Sequence, residues 1–209
     1  NYIDAISISS HDPYFATASS DEVVIIWNSR INRGIVKFLI QKPVTCLTFN
    51  PVTPKLLACA DNKVSKWYPK IKQVVPLSVD AAVLCAAWSS DGKSYAIGLA
   101  DKTILILDSI NDSQIYKYCI TNPVSAIAMS NDLLFVGIMD YKLVIYKPSE
   151  FFSISCQNIP SQPSTILKFL KNMLFTYVNG KVTLSNADGQ FITEIADVKE
   201  CIRSASVSD

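Results

Sequence analysis

Phe15-Ala16-Thr17-Ala18-Ser19-Ser20-Asp21-Glu22-Val23-Val24-Ile25-Ile26-Trp27 decides the fold of this chain. A short run of small and aromatic residues leads into an acidic turn, and a β-branched run follows. Each run is too short for a helix and neither shows a 3.6-residue period, so the stretch reads as two antiparallel strands joined by a tight turn. The phrase then repeats. Its turn residue recurs at Asp21, Asp61, Asp101, Asp140 and Asn179, at intervals of 40, 40, 39 and 39. The runs before the turns are Phe15 to Ser19, Leu56 to Ala60, Tyr95 to Leu99, Leu134 to Ile138 and Leu174 to Val178. Those after them close on Trp27, Trp67, Leu107, Tyr146 and Ser185, with the same spacing.

Outward from each pair, a third strand lies upstream: Ile3 to Ser9, Val44 to Phe49, Val83 to Ser89, Val124 to Ser130 and Thr165 to Leu170. A weaker fourth lies downstream: Gly34 to Leu39, Gln73 to Leu77, Ser113 to Tyr118, Ser153 to Asn158 and Phe191 to Ala196. Four short strands repeating at about 40 residues are the arithmetic of a β-propeller blade. The expected fold class is all-β, with blades at about 1–40, 41–80, 81–120, 121–160 and 161–198 and the first strand of another, Cys201 to Val207, in 199–209. Five wedges leave two open edges, which exposes unpaired apolar surface. The expectation is therefore a segment of a larger, seven-bladed ring. Near-continuous apolar runs such as Val23 to Trp27 suit strands covered on both faces by neighbouring blades.

Nineteen Lys+Arg against eighteen Asp+Glu give a net charge of +1, which argues against a general electrostatic grip on nucleic acid. No apolar run reaches the roughly 18 residues that cross a bilayer, and Asn1-Tyr2-Ile3-Asp4 lacks the pattern of a secretory signal. The cysteines Cys46, Cys59, Cys85, Cys119, Cys156 and Cys201 form no C-x-x-C pair. Most lie in apolar strands and read as small core residues of an intracellular protein.

Catalysis is not expected. The only histidine, His11, sits in a Ser10-His11-Asp12-Pro13 turn, and no Gly-rich phosphate loop or metal-ligand spacing appears. No cofactor and no metal are expected. The acids Asp21, Asp61, Asp101 and Asp140, with Asn179, fit hairpin turns, where such residues tolerate left-handed backbone and bond their own chain. Closely following them come Lys63, Lys102, Lys142 and Lys181. If the blades align, these form an arc on one face that would bind an acidic protein partner, although solvated turns commonly carry lysine. Phe151 and Phe152 form a second candidate, since adjacent aromatics anchor interfaces when exposed.

The cadence resembles the WD40-repeat family, with the closing Trp-Asp altered to Trp27-Asn28, Trp67-Tyr68, Leu107-Asp108 and Tyr146-Lys147. Ser20 to Trp27, Phe49-Asn50-Pro51-Val52-Thr53, Lys66-Trp67-Tyr68-Pro69 and Cys85-Ala86-Ala87-Trp88-Ser89-Ser90-Asp91-Gly92-Lys93 are more closely similar to the N-terminal propellers of the intraflagellar transport 122 family, best over residues 14–107. A long acidic insertion common in that family is missing between Leu107 and Val124. The resemblance implies a scaffold subunit of the ciliary complex IFT-A, acting with other WD40 and TPR-type subunits in retrograde transport and cargo entry. It also implies a place in cytoplasm and cilium, with membrane contact at most indirect. The residues leave two alternatives open, a stand-alone receptor for an acidic or modified peptide and a coatomer-like vesicle transport propeller.

Overall fold

The computed structural model describes residues 2–138, 142–150, 152–158, 166–170, 173–178, 181–186 and 191–197. Asp140, Phe151, Asn179 and the expected strand at 201–207 lie outside the described residues. The first sheet contains β1 (Ile3–Ile8), β2 (Tyr14–Ser19), β3 (Val23–Asn28) and β4 (Arg33–Leu39). The second has β5 (Cys46–Phe49), β6 (Leu56–Ala60), β7 (Lys63–Tyr68) and β8 (Gln73–Ser78). The third has β9 (Val83–Trp88), β10 (Ser94–Leu99), β11 (Thr103–Asp108) and β12 (Gln114–Cys119). The fourth has β13 (Val124–Met129), β14 (Leu134–Ile138), β15 (Lys142–Lys147) and β16 (Phe152–Asn158), and the fifth has β17 (Ile166–Leu170), β18 (Met173–Val178), β19 (Lys181–Asn186) and β20 (Phe191–Asp197). Every sheet is an antiparallel meander in chain order, and among the described residues the only helical turn is a 3-10 turn at Pro148–Glu150. The chain is a series of propeller blades.

Contacts between sheets concentrate on the first strands, with β1, β5, β9, β13 and β17 touching in succession. Polar bonds between blades show that the blades stack in phase. The Phe49 amide donates to Ser7 Oγ at 3.0 Å, the Trp88 indole to the Thr48 carbonyl at 3.2 Å, and the Asp91 amide to Asn131 Oδ1 at 2.8 Å. Each joins residues 40 or 42 apart, which is one repeat. In-phase stacking puts equivalent turns of successive blades at the same end.

Burial follows how many faces of a blade are covered. In the second to fourth blades β6, β10 and β14 are buried along nearly their whole length. In the first blade Ala16, Ala18, Val24 and Ile26 pack against Leu47, Phe49, Leu56 and Trp67 of the second. The opposite face carries Ile6, Ile8 and Leu39, all exposed. The run Val23 to Trp27 is therefore buried only at alternate positions, not continuously as expected from sequence. Its second face lacks a neighbour among the described residues.

Cys46 and Cys59 lie at the interface between the second and third blades, and Cys85 packs on the other face of the third blade with Val124 and Ile127 of the fourth. Cys46 pairs in register with Cys59, and its thiol donates to the Ala86 carbonyl at 3.5 Å. Burial pushes the Cys46 thiol up to about 11 from 9.0 and raises Cys59 and Cys85 as well. Cys119 departs from the core reading, because it ends the outer strand β12 and is exposed. Among these four, only Cys119 is expected to react quickly with a maleimide at pH 8, with the other three labelled only on unfolding, as peptide mapping would show. The unfolded chain releases the buried thiol protons first, at about pH 9. The stability that Cys46 contributes is thus complete below 9.0 and is lost as pH rises toward about 11.

Candidate functional site: two rims and the ties between blades

Meander topology puts the turns between second and third strands at one end of the stack and the turns between first and second and between third and fourth at the other. At the first end, the Glu22 amide bonds the Ser19 carbonyl at 3.0 Å and the Lys102 amide bonds Leu99 at 3.2 Å. The residues that take left-handed backbone are Glu22 (φ 66°) and Lys102 (φ 69°), each one position after the acid. Among the described turns only Asp61 (φ 51°), in a two-residue turn, is itself left-handed. Asp21 and Asp101 act through their side chains instead, with Oδ1 accepting from the amides of Val23 at 3.2 Å and Thr103 at 3.0 Å.

The lysines also differ in position. Lys63, Lys142 and Lys181 each open the third strand of their blade, whereas Lys102 occupies the turn. Lys102 is exposed and Lys63 half-buried. Lys181 is exposed but ion-paired with Glu194 at 3.0 Å. Of Lys142 and Phe152 only the strand positions are described. The exposed acids Glu194, Asp61 and Asp101 share the neighbourhood, so this rim is mixed in charge.

At the other end, the chain reverses between third and fourth strands through Asn32 (φ 49°), Lys72 (φ 52°) and Asp112 (φ 60°), 40 residues apart. The position of the family's closing Asp has a mechanical role here. Asn28 Oδ1 accepts from the Arg30 amide at 3.0 Å, and Asp108 Oδ1 accepts from Ile110 at 2.8 Å and Asn111 at 3.1 Å. Those amides hold the Asp108 carboxyl below its ordinary range. His11 is exposed in the first turn of this rim.

Two polar ties bind the second blade to the third, and sequence reasoning missed both. Asn50 is 1% exposed. Its Nδ2 donates to the Gly92 carbonyl at 2.7 Å while Oδ1 accepts from the amides of Val52 and Thr53 at 2.9 Å. The signal was available, because a polar residue follows the last bulky residue of the first strand in each of the first four blades at Ser9, Asn50, Ser89 and Ser130, and each caps its own turn. The second tie joins Lys66, 3% exposed on β7, to Asp112 of the third blade, whose other oxygen accepts from Tyr95 Oη at 2.6 Å. Burial and the neighbouring Lys66 lower Lys55, which lies 5.5 Å from the centre of the Tyr68 ring. Burial and Asp112 raise Tyr95.

Blade to blade, one equivalence fails. The Trp27 indole donates to Thr17 Oγ1 at 3.0 Å, but the corresponding Trp67 indole is buried without a partner. Ala58 stands where the first blade has Thr17, two residues along from the partner of the tryptophan in each blade, so no acceptor is offered. Among the described residues no group of His, Cys, Asp or Glu could hold a metal, and no helix is long and apolar enough to cross a membrane.

Four-stranded meanders stacked in phase and tied across their boundaries define a WD40-type β-propeller, a class of repeat-built proteins. More specifically, the chain belongs to the family described as the IFT122 first beta-propeller, whose model matches residues 1–209. It is 26% identical over 194 residues to the intraflagellar transport protein 122 homolog of Danio rerio, covering 88% of this chain and 16% of that protein. It is 31% identical over 101 residues to the Xenopus tropicalis homolog, covering 48% of this chain and 8% of that one. A WD repeat-containing protein of Schizosaccharomyces pombe is 30% identical over 109 residues, 51% of this chain and 27% of that protein. The chain thus spans less than a third of the length of each of these relatives.

Proposed function

We propose that this chain is part of a non-catalytic scaffold subunit of an IFT-A-type complex that works in retrograde transport and cargo entry in cilia. The observation that carries this reading is the family match along the whole chain. The in-phase stacking supports it, since a rigid stack presents equivalent turn residues side by side for a protein partner. In this reading Lys63, Lys102, Lys142 and Lys181 meet acidic surfaces of neighbouring subunits in cytoplasm and cilium, and Phe151 with Phe152 is a second, aromatic docking spot. A further blade of a larger ring covers Ile6, Ile8 and Leu39 of the first blade, because an apolar sheet face of this kind is stable only when packed.

Affinity purification of the tagged full-length protein from ciliated cells, followed by mass spectrometry, tests the reading. Other WD40 and TPR-type subunits of the transport complex are expected in stoichiometric yield. Lys102→Glu with Lys142→Glu is expected to cut that yield several-fold and flatten its salt dependence. Recovery of none of those subunits would refute the scaffold reading, and unchanged yield in the variant would remove the lysines from it.

A further inference from the structure

We propose that the rim formed by the turns between third and fourth strands of the first three blades docks on an anionic lipid surface. Three turns at one end of the stack each present an isoleucine to solvent: Ile31 at 62%, Ile71 at 57% and Ile110 at 79% exposure. A single exposed isoleucine needs no explanation, but one on each of three successive blades, on equivalent turns, is a pattern. Val52, on a turn at the same end, is exposed as well.

Cations flank two of these tips, while Ile110 stands between Asp108 and Asp112. Arg30 and Arg33 surround Ile31, Lys70 and Lys72 surround Ile71, and all four are exposed. Two of the three arginines of the chain lie here. The acids at this end are mostly engaged elsewhere: Asp112 with Lys66, Asp91 with Lys93 at 3.5 Å, and Asp108 with the amides of its own turn. Asp12 is half-buried, and Asp132 is exposed. The rim is therefore locally cationic over its first two blades, although the chain as a whole is nearly neutral.

Apolar tips beside cations match the layering of a membrane interface, with anionic headgroups outside and hydrocarbon beneath. An acidic peptide would satisfy the guanidinium and ammonium groups while leaving the isoleucines in water. The three tips stand on separate turns, so a flat surface meets them together. In-phase stacking makes them a row. This rim is at the opposite end from Lys63 and Lys102, so a membrane and a protein partner can be held at once.

The test is co-sedimentation of the full-length protein with phosphatidylserine-rich vesicles and with neutral phosphatidylcholine vesicles, at low and high salt. Binding to the anionic vesicles alone is expected. Removing the four charges (Arg30→Glu, Arg33→Glu, Lys70→Glu, Lys72→Glu) should weaken it by at least about a hundredfold, at roughly fivefold per cation near a charged surface. Ile31→Ser with Ile71→Ser and Ile110→Ser should weaken it by roughly tenfold and leave the salt dependence intact. Lys63→Glu with Lys102→Glu, on the other rim, should leave vesicle binding unchanged whether or not the scaffold reading survives. All these positions except the half-buried Lys63 are exposed, and far-UV circular dichroism checks the fold. Equal binding by the wild type and the charge variant would overturn the proposal. So would binding to polyglutamate, but not to vesicles, that the charge variant loses, which would assign the rim to a protein.

Discussion

Replacing Asp112 by asparagine is expected to destabilise the stack by about 3–5 kcal/mol, the usual cost of breaking a buried ion pair from one side. Lys66 is 3% exposed and Asp112 18% exposed, so the lysine cannot turn to water when its partner loses its charge. Asparagine tolerates the left-handed backbone at φ 60° and can still accept from Tyr95, which isolates the charge as the cause. The pair joins β7 to the turn after β11, so its loss acts on the interface between two blades rather than on either sheet. Lys66→Met together with Asp112→Asn should recover most of the loss, because an apolar chain of similar length carries no charge to desolvate. Urea unfolding followed by the fluorescence of Trp88, within that interface, and of Trp67, on the other face of the second blade, would read both results.

Asn50→Ala should cost about 2–4 kcal/mol, since each unsatisfied buried group costs about 1–3 and water reaches part of this turn. The side chain serves three backbone groups on two blades, and alanine replaces none of them. Gly92→Ala should be comparably severe for a different reason. Gly92 has φ +68°, and a Cβ there would overlap the Asn50 amide. Only the second of these problems disappears when Asn50 is alanine. The double variant is accordingly expected to be less unstable than the sum of the singles, and a double-mutant cycle measures that difference.

What was legible in the sequence was whatever repeats along the chain. The cadence from Asp21 to Asn179 located every described blade, with strand ends within two residues, because each blade solves the same packing problem with the same alternation of runs and turns. Details that depend on the neighbouring blade were not legible. Lys66, within Val64-Ser65-Lys66-Trp67, gives no hint that its partner lies in the next repeat. The left-handed positions fell on Glu22 and Lys102 because two-residue and three-residue turns place that conformation differently. Cys119 was misread because a short outer strand looks as apolar as an inner one, yet one of its faces meets solvent. Ile31, Ile71 and Ile110 fall between the expected strands, and only the stacking shows that they stand in a row.

A cryo-electron microscopy map of the full-length protein, at a resolution that shows side chains, tests the central claim most directly. The account predicts β1, β5, β9 and β13 side by side in one phase, with the Trp88 indole on the Thr48 carbonyl and Lys66 on Asp112 across the blade boundary. A map in which consecutive blades are offset by a strand, or in which those two links join other residues, would contradict it.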